Sequence, residues 1–318
     1  MADHAFLDLD RVRRSGRKAV LATIVRVQGP AYRRAGASAV IAEDGEVIGA
    51  ISAGCLDADI RENALQVIAG APPRLLHYNT GTPEDLLMGT RSGCGGLIHV
   101  LVAPVADEVL SAVASHLSAG EAVVVSTDVE PGPNLGIWRL GSSDTGFVQT
   151  LQPPVTLLIC GAGDDARPLA QYAAAAGFRV IVCDHRPAWV TPERFPNAHQ
   201  TVICECATLP TQLSLPAGSY AVLLTHQFEQ DIAHLEALLE RPLAYIGLLG
   251  ARERSAKLIG QLLTDRPDLY QAVRAKLHAP VGLDIGADGP AEIALSIAAE
   301  LVAHRAGRPG TPLSAVHS

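Results

Sequence analysis

Aromatic side chains are scarce in this sequence, at 4 % of its 318 residues, and methionine occurs only twice. A core without large rings must be filled by Ala, Val, Leu and Gly, which suits helices packed closely on a parallel sheet. An excess of positive charge is also missing. The formal balance is −8, which argues against nucleic-acid binding, because phosphates need a basic surface. No apolar run approaches the ~20 residues of a membrane span, so no membrane association is expected. The opening stretch, MADHAFLDLDRVRRSGRKAV, is charged and has no apolar centre. No secretion signal is read there, and a cytoplasmic location is expected. Closely paired cysteines are lacking too. Six cysteines are spread along the chain without a C-x-x-C, and Cys204 and Cys206 make only a C-x-C. They are expected as thiols, and their spacing does not suit a structural zinc site.

What is present is ample apolar material: 48 % hydrophobic against 18 % charged residues. That is enough for two cores at roughly 100–200 residues per domain. The expected fold class is α/β, with a small mixed α/β N-terminal domain over 1–152. A Rossmann-type parallel-sheet domain should follow over 153–306, then a tail over 307–318. Gln152-Pro153-Pro154 reads as the linker. In the first domain, strands are expected at 20–27, 38–42, 46–52 and 97–103, and a helix at 56–69. Asp44-Gly45 is a hairpin turn signal. The stretch 106–152 reads more weakly, as a helix at 107–119, a strand at 122–127 and a Gly/Pro/Ser-rich remainder. From residue 155 strand and helix alternate. The strands fall at 155–160, 179–183, 220–224 and 244–248, and a last helix at 290–303.

Gly161-Ala162-Gly163-Asp164-Asp165-Ala166 follows the strand at 155–160 and opens a helix. This is a G-x-G-x-x-A fingerprint in its required context. Gly161 makes the tight turn, Gly163 lets a diphosphate approach the backbone, and the small third residue packs helix on sheet. Asp184, 23 positions after Gly161, stands where a carboxylate accepts ribose hydroxyls. Asp164 and Asp165 would repel a diphosphate or else cap the helix. Arg186 offsets that charge or accepts a phosphate. A nucleotide or NAD(P) in this half is therefore left open. Ligands of such sheets sit beyond the strand C-termini, so Thr225 and His226 should share this rim. The turn-rich segment 278–288, with His278 and Asp284, is expected to fold back over it and face the N-terminal domain.

Three N-terminal segments also stand out. The loop 29–37, GPAYRRAGA, carries Tyr32, Arg33 and Arg34, and paired guanidiniums on a Gly-bounded loop suit a phosphate. Gly54-Cys55 stands just before the first helical stretch, where amide dipoles favour a thiolate. Cys94 lies in Gly93-Cys94-Gly95-Gly96, whose bare backbone amides invite ligand contact. Each motif alone has an ordinary reading as packing or turn; together they point to a site.

These segments, with GAGDDARPLA (161–170), DHRPAW (184–189), THQFEQD (225–231), IGLLGARER (246–254) and LHAPVGLDIGAD (277–288), resemble the xanthine dehydrogenase and carbon monoxide dehydrogenase accessory protein family. The resemblance covers most of the chain outside 106–150. It implies a chaperone, not a turnover enzyme, that binds the molybdenum cofactor (molybdopterin). Such a protein protects the cofactor during sulfuration by a cysteine desulfurase and delivers it to a xanthine-dehydrogenase-type molybdenum hydroxylase. The client, the cofactor form and any homo-oligomer stay open. One departure is that Ala31 and Ala35 replace the Ser/Thr and Pro common in the family's arginine loop. The candidate cofactor-binding residues in the first domain are Tyr32, Arg33, Arg34, Gly54, Cys55, Cys94 and Gly95, with Cys55 and Cys94 as metal ligands. In the second they are Gly161, Gly163, Asp184, Arg186, His226, His278 and Asp284. A competing reading is an NAD(P)-dependent oxidoreductase using His185, His226 or His278 as acid or base. A redox sensor built on Cys204 and Cys206 is a third.

Overall fold

The structure, a computed structural model, describes residues 4–79, 96–204 and 213–315. Cys94, Gly95 and Cys206 lie outside these residues. The chain divides into two compact units between Pro153 and Pro154.

The first unit is built on a five-stranded antiparallel sheet in the order β3-β2-β1-β5-β4. The strands are β1 (Ala19–Gln28), β2 (Ser38–Ala42), β3 (Val47–Gly49), β4 (Arg74–Asn79) and β5 (Leu97–Ala103). Side chains alternate across it with the pleat. Leu21, Val40 and Leu101 enter one core, while Val20, Ala22, Ile41 and Val100 enter the other. Helix α1 (Ala5–Arg14) brings Phe6, Leu9 and Val12 to the first core. Helix α2 (Asp57–Ile68) brings Ile60, Ala64 and Val67 to the second. The expected turn at Asp44-Gly45 joins β2 to β3, with Gly45 at φ 84° and its N–H on Ala42 O.

The weakly patterned middle of the sequence belongs to this unit. Helix α3 (Asp107–Ser118) packs on α1, and strands β6 (Val123–Thr127), β7 (Trp138–Leu140) and β8 (Phe147–Leu151) form a small antiparallel sheet. Val125, Trp138 and Leu151 close the first core, with Trp138 edge-on to Phe6 at 5.3 Å.

The second unit is a six-stranded parallel sheet in the order β11-β10-β9-β12-β13-β14. Its strands are β9 (Thr156–Cys160), β10 (Arg179–Asp184), β11 (Gln200–Ile203), β12 (Tyr220–Leu223), β13 (Tyr245–Leu248) and β14 (Leu277–His278). One face is covered by α4 (Ala166–Ala175) and α8 (Pro290–Arg305), through Leu169, Ala173, Ile297 and Leu301. The other is covered by α5 (Phe228–Leu239) and α6 (Arg252–Asp265), through Leu235, Leu238, Leu258 and Leu262. A short helix, α7 (Tyr270–Lys276), leads into β14. This is the Rossmann-type architecture that the fingerprint implies. The chain runs outward from β9 through β10 to β11, then restarts at β12 on the other side of β9. That reversal opens a crevice at the C-terminal ends of β9 and β12, where such sheets hold ligands. Among the described residues, no helix is long and apolar enough to cross a membrane.

Candidate functional site

Register brings the N-terminal motifs to one end of the five-stranded sheet. Gln28 and Asn79 both pair with Leu97, Thr23 pairs with Ser38, and Ala39 pairs with Gly49. Because neighbours are antiparallel, the arginine loop after β1, the segment after β3 and Gly96 before β5 all lie at that end. Their association is tight. A Cβ on Gly96 would collide with the carbonyl oxygen of Pro30, so the end of the GCGG motif lies against the start of the arginine loop. Ile24 N–H and Gly36 N–H donate to Ala37 O and Ile24 O, both at 2.8 Å, and close the other end of the loop.

The loop forms one wall of an open cavity. Tyr32, Arg33, Arg34 and Gly36 line it on one side, and Phe147, Gln149 and Thr150 of β8 on the other. Gln149 Nε2 donates to Gly36 O at 3.1 Å and pins loop to strand. Tyr32 is 60 % exposed. Gln149 was not legible as a site residue, because β8 lies in the part of the chain with the weakest pattern.

Cys55 is half-buried on a turn organised by Ser52, another residue the motifs did not reveal. Ser52 Oγ accepts from Gly54 N–H at 3.1 Å and Leu56 N–H at 3.2 Å, and donates to Asp57 at 2.5 Å. Ser52 stands five residues before α2, whose N-cap is Leu56, so a capping pattern does not mark it. Cys55 and Ala31 pack against the same apolar cluster. This end of the sheet therefore combines guanidiniums, a half-buried thiol and close-packed glycine backbone. Such a set can hold an anion and offer one soft sulfur donor to a metal.

The second unit's crevice is pinched at its base. Gly161 has φ 106°, and a Cβ there would lie 2.8 Å from Leu224 C and O. Gly163 faces open space. The expected capping by Asp164 or Asp165 is not found, since α4 has no side-chain cap. Instead Asp165 pairs with His226 Nε2 at 2.9 Å, and Asp164 with Arg194 at 3.6 Å. His226 adopts φ 57°, a conformation uncommon outside glycine. Thr225 beside it donates to Asp231 at 2.6 Å.

Asp184 sits on this rim as expected, but its carboxylate is occupied. Oδ1 accepts from Arg186 N–H and Nε, both at 2.9 Å, while Oδ2 accepts from Arg186 Nη2 and Ala162 N–H, both at 2.7 Å. Burial opposes the charge, yet the Arg186 fork and the two backbone donors outweigh it and hold the carboxyl at about 2. The unfolded value is near 3.9, so the folded value is depressed. The stabilisation is present above pH ~4 and is lost as pH falls through ~2, at about 2 kcal/mol in full. Asp184→Asn should therefore flatten the acid limb of a stability-versus-pH curve measured by urea unfolding. An unchanged acid limb would contradict this.

His278 stands apart from the Gly161 turn along the sheet. His278 belongs to the edge strand β14, three strands from β9 or roughly 14 Å at ~4.8 Å per strand. It stacks on Tyr245 at 4.2 Å and pairs with Glu300 of α8 at 2.8 Å. The segment beyond it packs on that last helix, where Ser296 Oγ donates to Leu283 O at 2.6 Å. Asp284 is exposed. Cys204 is buried, so a sensor using it would need the site to open.

Residues 12–79 match the XdhC and CoxI family, and residues 157–301 match the XdhC Rossmann domain. A Bacillus subtilis (strain 168) protein described as a probable xanthine dehydrogenase subunit is 32 % identical, over 93 % of this chain and 96 % of its own length. The chain belongs to the XdhC and CoxI family. Another relative, the molybdenum cofactor insertion chaperone PaoD from Escherichia coli (strain K12), is 27 % identical over 92 % of this chain and 85 % of its own. A crystal structure described as a xanthine dehydrogenase from Bacillus halodurans superposes with a TM-score of 0.78 at 30 % identity, covering 98 % of both chains. These matches support the family resemblance and the Rossmann assignment read from the sequence.

Proposed function

We propose that this XdhC-family chain takes part in molybdenum-cofactor maturation. It binds the cofactor, shields it while a cysteine desulfurase supplies its terminal sulfido ligand, and passes it to an apo xanthine-dehydrogenase-type molybdenum hydroxylase. The similarity to PaoD supports the maturation role. The observation that carries the residue assignment is the convergence of the arginine loop, the Cys55 turn and Gly96 at one sheet end. The cargo has a phosphate, a pterin and a metal held by sulfur. Arg33 and Arg34 suit the phosphate, because a guanidinium binds it through a planar fork. Cys55 suits the metal by softness, with Cys94 as a second candidate. The cavity between the arginine loop and β8 gives room for the pterin beside Tyr32. Ser52 orders the Cys55 turn, and Gln149 ties the arginine loop to the far wall of the cavity that it lines.

Cys55→Ala should lower molybdenum retention at least tenfold after loading with cofactor. Cys55→Ser should do the same, because the hydroxyl is a hard donor. Stability should change by no more than about 1 kcal/mol, as the thiol is not at the centre of a core. Molybdenum content by elemental analysis and a thermal melt read both quantities. Full retention in both variants would remove Cys55 from the ligand set.

A further inference from the structure

The rim of the Rossmann unit is built around a residue that has no capacity left for its expected ligand. A carboxylate offers about four acceptor positions, and Asp184 fills four with Arg186 and Ala162 N–H. A ribose diol would need those same positions. The tie also has an opposite effect, because it fixes a guanidinium at the mouth of the crevice. Arg186 lies against the Trp189 ring at 4.3 Å, and Arg194 lies against the same ring at 4.9 Å.

Arg194 is held by longer bonds. Its Nε donates to Trp189 O at 3.1 Å and its Nη2 to Ala162 O at 3.4 Å. The two peptide units that flank the Ala162 Cα are thus each held, the first at Ala162 N–H by Asp184 and the second at Ala162 C=O by Arg194. Both guanidiniums keep an Nη1 group without an acceptor among the described residues. Both side chains remain partly exposed, at 38 % and 29 %. Gly163, next to Ala162 in the turn, has open space where a side chain would be.

We infer that this rim binds a phosphate monoester through Arg186 and Arg194 and does not bind a ribose diol through Asp184. Both guanidiniums are already held against one indole, so little side-chain freedom would be lost when they bind a dianion. The exposed Asp164 carboxylate, 76 % accessible, is the group the phosphate displaces from Arg194. Among nucleotides, two sources carry this chemistry: the 2′-phosphate of a dinucleotide and the terminal phosphate of a mononucleotide. The inference is independent of cofactor binding in the first unit.

The test is calorimetric titration of the full chain with two matched pairs, NADP+ against NAD+ and 5′-AMP against adenosine. The phosphate-bearing member of at least one pair should bind tenfold or more tightly than its partner. Preference in the first pair identifies the dinucleotide 2′-phosphate, and preference in the second identifies the terminal monoester. Arg194→Ala should erase the preference and leave NAD+ or adenosine binding as it was. If that variant does not fold, the wild-type ratios decide alone. Equal binding within both pairs, no binding of any probe, or a preference that survives Arg194→Ala would overturn the inference.

Discussion

Gly161→Val should unfold the Rossmann unit or cost about 3–5 kcal/mol, while Gly163→Val should fold almost as well as the wild type. The two glycines belong to one fingerprint and have opposite surroundings. At Gly161 the backbone has φ 106°, and the first side-chain atom would meet Leu224 C and O at 2.8 Å and Thr225 N at 3.0 Å. These are backbone atoms of a neighbouring strand end, tied to β9 by Leu224 N–H on Cys160 O at 2.7 Å. They cannot move without breaking the sheet. Strain in φ and overpacking each contribute about 1–3 kcal/mol. At Gly163 nothing lies within 4 Å. Urea unfolding of the two variants checks the contrast. Equal stability would mean that β9 and β12 do not close on each other as described.

Asp231→Ala should be the most damaging change among the polar residues of the rim, at about 3–5 kcal/mol. Asp231 is 1 % exposed and accepts from Thr225 Oγ1 and Arg254 Nη2, both at 2.6 Å. Its loss leaves the partly buried guanidinium of Arg254 without a counter-charge. It also releases Thr225, which holds the loop where His226 takes its left-handed conformation. The double change Asp231→Leu with Arg254→Met should recover much of the loss, because an apolar pair of similar volume avoids the buried charge. Denaturation midpoints of the single and double variants measure this. A single variant as stable as the wild type would show that the pair contributes nothing.

Strands written as apolar runs were readable from sequence. β1, β2 and β5 send alternate residues into two cores, and β9, β10, β12 and β13 are buried on both faces of the parallel sheet. Elements that depend on partners were not. β4 carries Arg74, His77 and Tyr78 and exists by pairing with β5. β14 is two residues in a turn-rich stretch, made a strand by β13. Helix α1 has its apolar residues at helical spacing, but they lie in a stretch read only for the lack of a signal. β7 and β8 are short and set among Gly, Pro and Ser, so one wall of the cavity was invisible.

The site shows the same limit. The arginine pair, Cys55 and the glycines were visible as motifs, but their meeting depends on sheet register. Asp184 was visible too. Its saturation depends on a side chain two residues later folding back, which no fingerprint states. The turn chemistry of 278–288 also suggested that this segment folds back over the Gly161 rim. The strand order puts His278 at the sheet edge, three strands from β9.

The central claim is that the arginine-loop end of the first unit holds the molybdenum cofactor. The most direct measurement is the amount of cofactor, read as molybdenum and as organic phosphate, that stays with the full chain through gel filtration. Wild type and the variant carrying Arg33→Ala with Arg34→Ala should be compared, each with its thermal melt. Close to one cofactor per wild-type chain is expected, with at least a tenfold loss in the variant and little change in the melt. Wild-type retention should also fall as salt is raised, since exposed ion contacts are screened. Equal retention by the two proteins, or none by the wild type, would contradict it.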